Sequence, residues 1–264
     1  MGTKSTTVLT LNNPPLVEVA CGVYFKNLDK LLIPHIGLLW EDFCGEFHRF
    51  EEYLPIQNLN NSQSTNPFII SSKPALPRIW FINENETSVL QIQRDLFMLN
   101  WRKTGNSDYP RFGKVYSDFK KYLETFKQFL VKNKLGSLEP VRFELGYINH
   151  IAQNQLWSKL NDLSQIFTVF NLINSTKLDE SEAIGFDCLF PLARKEGKLA
   201  YQLRTAKKDD KLVLQLSITV SGLNADKSFD TMDKWFENAH DEIVDIFTKT
   251  TTNEIQHKVW SKQT

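Results

Sequence analysis

The polar side chains with most chemical promise lie in LQIQRDLFMLNWRK, residues 90–103, where Gln91, Gln93, Asn100 and Arg102 interrupt an aliphatic and aromatic background. If the run forms two strands turning at Arg94-Asp95, alternation puts Leu96, Met98, Asn100 and Arg102 on one face. Phe97, Leu99 and Trp101 then form the side that a helix would cover. Asn100 and Arg102 stand beside Gln91 and Gln93 across the hairpin. Amides and a guanidinium so arranged make a polar floor for a ligand or peptide, with Arg102 as an anion clamp. The same pattern also describes a half-solvated sheet face whose arginine pairs with a neighbouring carboxylate. The sequence leaves both readings open.

The second candidate is ELGYINHI, residues 144–151. Glu144 and His150 share a face of the expected strand but stand about 20 Å apart, so they form no dyad with each other. His150 could act as a general base with a carboxylate from elsewhere, or be a hydrogen-bonded histidine at a strand end. His35, His48, His240 and His257 show neither HxxxH nor HExxH spacing, and no metal site or cofactor is expected. GxSxG, Walker and GxGxxG motifs are absent from the sequence. An enzyme assembled from distant positions stays open.

Periodicity supplies the elements that would position these residues. LVEVACGVYF (16–25) alternates as a strand. In LLIPHIGLLWEDFCGEFHRFEEY, Ile36, Trp40, Phe43, Phe47, Phe50 and Leu54 recur at helical spacing. Residues 55–77 read as a loop, and RIWFI, TSVLQIQ and LFMLNWRK as an antiparallel meander. Tyr109-Pro110 leads into a helix bearing Val115, Phe119, Tyr122, Phe126 and Leu130, with Gly136 as its stop. The second half offers a strand at 141–151 and a helix with Leu156, Leu160, Leu163, Phe167 and Phe170 on its stripe. Three further strands end in KLVLQLSITVSG, entered through a KKDD hairpin turn. A last long helix takes Ser228 as N-cap, and a tail helix opens on Thr251 with Glu254 at capping-box spacing.

The order β-α-β-β-β-α thus occurs twice, over 16–135 and 141–249. The expected fold is α+β, with halves 1–136 and 137–264. They form either one curved antiparallel sheet with helices on one face, as in the TATA-binding-protein-like architecture, or two lobes.

With 31 basic and 31 acidic residues in 264, no global field draws the chain to a polyanion or membrane. Charge is instead separated locally. Nine Lys or Arg face three acids from Arg102 to Lys134, whereas five acids face one Arg in 41–52. Arg111, Lys114, Lys120 and Lys121 are the candidate phosphate contacts on the basic helix 111–134. Cys21, Cys44 and Cys188 are odd in number and widely spaced, which suits buried thiols in a reducing cytoplasm. No apolar run reaches membrane-spanning length. The start formally matches a myristoylation pattern at Gly2 and Thr6, but no second membrane signal stands nearby.

NPPLVEVACGVYF, LQIQRDLFMLNWRK followed by YPRF and a helix, ELGYINHI, and a terminal helix ending near VW together resemble a family of sporadically distributed bacterial proteins about 250 residues long, to which no activity is assigned. The resemblance covers nearly the whole chain, with NWRK…YP its most specific part. Such a distribution implies an accessory module of the defence or toxin-antitoxin type. Together with the charge separation, it leads to the first expectation, a non-enzymatic interaction or regulatory subunit acting through a protein partner or self-association. A nucleic-acid binder using the sheet face or the basic helix is the second. A small-ligand binder or enzyme with a pocket near Arg102 and His150 is the third.

Overall fold

A computed structural model describes residues 11–56, 76–153, 156–172, 182–192, 197–223 and 228–261. The Gly2 acylation pattern and most of the expected 55–77 loop lie outside the described residues. The strands are β1 (Leu16–Phe25), β2 (Arg49–Tyr53), β3 (Arg78–Ile82), β4 (Ser88–Gln93), β5 (Leu96–Arg102), β6 (Pro140–Ala152), β7 (Gly185–Pro191), β8 (Gly197–Lys208) and β9 (Lys211–Gly222). The helices are α1 (Ile33–Phe43), α2 (Phe112–Lys132), α3 (Met232–Thr250) and α4 (Asn253–Lys258). The fold is α+β, built on a large antiparallel sheet hydrogen-bonded in the order β2-β3-β4-β5-β1-β6-β9-β8-β7. The chain divides into two compact units, Ala20–Arg142 and Met1–Val19 with Phe143–Thr264. No helix among the described residues is long and apolar enough to cross a membrane.

In the 20–142 unit, residues directly opposite one another fix which side chains share a face. Tyr53 pairs with Arg78, Trp80 with Gln91, and Gln91 with Met98. The alternate residues, Phe81 and Phe97 among them, face the helices. The Phe97 ring stacks on Phe126 at 5.2 Å and meets Phe119 at 6.1 Å, and the Phe81 ring meets Trp40 of α1 at 5.0 Å. The amphipathic stripe of α2 is therefore satisfied by aromatic contact, and Phe119 and Phe126 are fully buried.

One expected element is corrected here. The helical stripe from Ile36 was read through Leu54, but α1 stops at Phe43 and Arg49–Tyr53 forms β2. Phe47, Phe50 and Leu54 fit helical spacing, yet the same stretch also alternates, and pairing with β3 decides between the two periods. The end of α2 also differs from expectation. Leu135 N–H donates to Leu130 O at 2.9 Å and Lys134 N–H to Val131 O at 3.1 Å, with Lys134 at φ 56°, so the left-handed C-terminal residue is Lys134 and not Gly136.

In the other unit, β6 and β9 pair from Phe143↔Gly222 to Ala152↔Val213. Phe143 packs its ring on Trp235 and Phe236 of α3 at 5.5 and 5.9 Å. The expected helix over 156–170 is replaced by 3-10 segments, Leu160–Gln165 and Thr168–Leu172. Leu160, Leu163, Phe167 and Phe170 are buried as expected, but Leu156 takes φ 63° and Phe167 bridges to Thr251. The Asp209-Asp210 turn between β8 and β9 forms as read, both residues in the left-handed region.

Two cap assignments shift. α3 begins at Met232 with Thr231 at its N-cap position, and Ser228 accepts from Asp230 N–H at 3.2 Å. α4 is capped by Thr252, which accepts from Ile255 N–H, while Thr251 donates to Phe247 O at 2.7 Å. Of the thiols only Cys21 is buried. Cys44 at the end of α1 is exposed, and Cys188 on β7, a sheet edge, is half-buried.

Candidate functional site

On the face of the 20–142 unit opposite α2, Gln91 is the centre of a polar and aromatic cluster. Its Oε1 accepts from Arg78 Nη1 at 3.1 Å and from Trp80 Nε1 at 3.0 Å, and its Nε2 donates to Asn100 Oδ1 at 2.7 Å. Gln91, Gln93 and Asn100 are 6%, 4% and 4% exposed. Of the two readings the sequence leaves open, the half-solvated face does not hold at these three positions. Their amides saturate one another and the neighbouring chain, as buried polar groups must. Gln93 holds Ile56 at two points, accepting its N–H and donating to its carbonyl, each at 2.9 Å, and also donates to Asp95. It belongs to the framework rather than to an open surface.

The cations complete the cluster. Arg102 is half-buried with its Cζ 5.6 Å from the Trp80 ring centroid, and Arg78 Cζ lies 5.4 Å from the same centroid. Arg78 is also 5.6 Å from the Tyr53 ring, which stands 4.2 Å from Trp80. Rings and amides thus hold two guanidinium groups without a carboxylate. Among the described residues neither arginine forms an ion pair, and the buried Nε–H of each has no acceptor. Burial lowers the Arg78 pKa, with Tyr24 and Tyr53 acting in the opposite sense. Glu51 raises the Tyr53 phenol by accepting its hydrogen bond at 2.6 Å, and Arg102 and Arg78 pull it the other way, so both guanidinium groups act electrostatically on Tyr53. Glu51 is itself paired with Arg49 at 3.3 Å.

Arg78, Trp80 and Tyr53 were missed as site residues in the sequence. Arg78 and Trp80 alternate within RIWFI, so the β3–β4 pairing would have placed them beside Gln91, whereas assigning Tyr53 to a helix concealed it.

His150 belongs to the other unit. Its Nε2 contacts Gln215 Oε1 at 3.2 Å, burial lowers its pKa, and among the described residues no carboxylate bonds it as a general-base arrangement would need. Glu144 and His150 lie opposite Ser221 and Gln215, at separate points of the β6–β9 ladder.

On the basic helix, Lys114 pairs with Asp118 at 2.5 Å, Lys121 with Glu46, and Lys120 Nζ lies 5.0 Å from the Tyr116 ring centroid. Arg111 precedes the helix at φ 75°. Lys114, Lys120 and Lys121 thus already have partners within the unit. Among the described residues no group of three or more His, Cys, Asp or Glu could hold a metal ion. Neither a family model nor a curated protein matches the chain.

Proposed function

We infer that the protein is a non-catalytic binding subunit whose 20–142 unit recognises an anionic group through Arg78 and Arg102. One observation carries this: two guanidinium groups are fixed around Trp80 by uncharged partners, with no ion pair among the described residues. A half-buried arginine in a purely structural role is ordinarily neutralised by a carboxylate. No described carboxylate is paired with either group, the buried Nε–H of each has no acceptor among the described residues, and guanidinium geometry suits phosphate or carboxylate. The Gln91–Asn100 network preorganises the floor beneath them. The resemblance to sporadically distributed bacterial proteins supports placing this subunit in an accessory module.

The test is calorimetric titration of the full chain with inorganic phosphate and with citrate, followed by Arg102→Gln and the Arg78→Gln/Arg102→Gln double variant. Arg102 makes no hydrogen bond through Nε among the described residues, so its single variant should fold as the parent does. The expected result is binding that weakens at least tenfold in Arg102→Gln. Equal affinity in parent and double variant, with folding verified by circular dichroism, would contradict the reading.

A second reading rests on a different observation. Ile33, Leu38, Phe50 and Leu54, on α1 and around β2, are 63%, 48%, 58% and 87% exposed. They lie where β2 forms one edge of the sheet. Exposed apolar side chains beside a strand edge favour a protein partner. A Phe50→Glu/Leu54→Glu variant that loses a co-purifying protein while retaining anion binding would separate this contact from the arginine site.

A further inference from the structure

Tyr53 adds a second chemical feature to the anion site. It closes β2, and its ring lies 4.2 Å from Trp80 at an interplanar angle of 36°. Trp80 is its only aromatic neighbour among the described residues, Arg78 Cζ lies 5.6 Å from its ring, and 38% of Tyr53 remains exposed. Its hydroxyl is committed to Glu51 Oε2, so what Tyr53 still offers a ligand is π surface. The nearby acid is only partly offset, since Arg49 is shared between Glu51 at 3.3 Å and Glu86 at 2.8 Å.

The arrangement of the two cations narrows the ligand further. Arg78 lies directly opposite Tyr53, two residues before Trp80 on β3. Arg102 ends β5 with its N–H on Thr87 O, beyond the level where Val89 pairs with Ile82. The backbones of the two arginines therefore lie on opposite sides of Trp80 along the strand axis, and both Cζ atoms come within 5.6 Å of its ring centroid. Charges spread along a strand suit successive phosphates of a chain better than one compact anion. An acidic peptide would use the charges and leave the ring idle. A duplex already has its bases stacked and hidden.

We propose that the occupant is a single nucleic-acid strand, its phosphates on Arg78 and Arg102 and one base stacked on the exposed side of Tyr53. The proposal rests on the anion-binding reading above. It also accounts for a neutral chain, because affinity arises from a local pair of arginines and an aromatic platform rather than from net charge.

The experiment is fluorescence anisotropy of the full chain with labelled oligo-dT and oligo-rU of about 12 nucleotides, near the upper range of strand site sizes. Alongside run a duplex of equal length, a mononucleotide, polyglutamate and inorganic phosphate. The strand should bind at least tenfold tighter than the duplex or the mononucleotide, and its affinity should fall steeply with salt. Tyr53→Ala should weaken it by about five- to a hundredfold, the range of one base–aromatic stack. Tyr53→Phe keeps the ring and should stay within twofold. A strand that binds no tighter than mononucleotide, duplex or polyglutamate overturns the proposal, as does an indifferent Tyr53→Ala. If the strand fails while phosphate still binds through Arg78 and Arg102, the strand is excluded and the anion site stands. If phosphate fails as well, both fall.

Discussion

Gln91 Nε2 donates to Asn100 Oδ1 at 2.7 Å on a diagonal across the β4–β5 hairpin, since the register pairs Gln91 with Met98 and Asn100 with Val89. Diagonal neighbours on one face of a sheet lie within reach of long side chains. This bond ties the floor of the cluster to the strand that carries Arg102, and the other end of the same amide holds Arg78 and Trp80.

Gln91→Leu keeps the volume and removes all three bonds, leaving half-buried Trp80 Nε1 and buried Asn100 Oδ1 short of the partner that the parent supplies. A loss of about 2 kcal/mol is expected in urea denaturation, from the cost of unsatisfied buried groups. Anion affinity should fall with it, because Arg78 loses its anchor. An unchanged midpoint would show that the network contributes little.

Two glycines should respond unequally to alanine. A Cβ on Gly22 meets the Met98 side chain, its methyl at 2.7 Å and Cγ at 3.4 Å, and the end of a thioether chain can move aside. Gly22→Ala should therefore cost about 1 kcal/mol or less. At Gly197 the backbone has φ 152° and a Cβ would stand 2.2 Å from Ser221 O, on the main chain of β9. Gly197→Ala should cost about 3 kcal/mol or more, combining backbone strain with overpacking. Thermal denaturation of the two variants side by side checks the contrast.

The hairpin at the heart of the site was legible because its two-residue turn fixes register, and register fixes faces. Phe97, Leu99 and Trp101 on the helix side, and Gln91 with Asn100 on the other, follow from alternation alone. The depth of that second face did not. Burial of Gln91, Gln93 and Asn100 depends on long-range partners such as Ile56 and Arg78, which no local pattern carries. β2 was hidden because Phe43, Phe47, Phe50 and Leu54 satisfy a helical period over a stretch too short to exclude it. The buried stripe of 156–170 was read correctly in residues and wrongly in winding, since i,i+3 spacing serves a 3-10 turn as well.

Stability should fall on mild acidification. Burial holds the pKa values of His150 and His240 below the ordinary histidine value, with Gln215 and Asp241 respectively opposing it. The unfolded chain takes up these protons near pH 6.5, whereas the folded chain takes them up only at lower pH. Stability is thus complete above about pH 6.5 and is lost as pH drops through the interval down to the folded values. Urea midpoints at pH 8, 7, 6 and 5 should decline below 7, and His150→Gln/His240→Gln should flatten that decline. An identical slope in the double variant would assign the effect to other groups.

Lys114 and Lys121 should be dispensable for anion binding, as each already pairs with an acid of its own unit. Lys114→Met/Lys121→Met is expected to leave phosphate and oligonucleotide affinity within about twofold, in keeping with the small net worth of screened surface charges. A tenfold loss in calorimetry would move the interface to the α2 helix.

The most direct measurement follows the side-chain Nε–Hε resonances of arginine in a nitrogen-15 spectrum while phosphate is added to the full chain. The buried Nε–H groups of Arg78 and Arg102 should be visible and should shift together with one saturation curve. Arg49, paired with Glu51 and Glu86, serves as the internal control and should stay in place. Movement of Arg49 alone, or no movement at Arg78 and Arg102 at saturating phosphate, would contradict the assignment of this sheet face as the anion site.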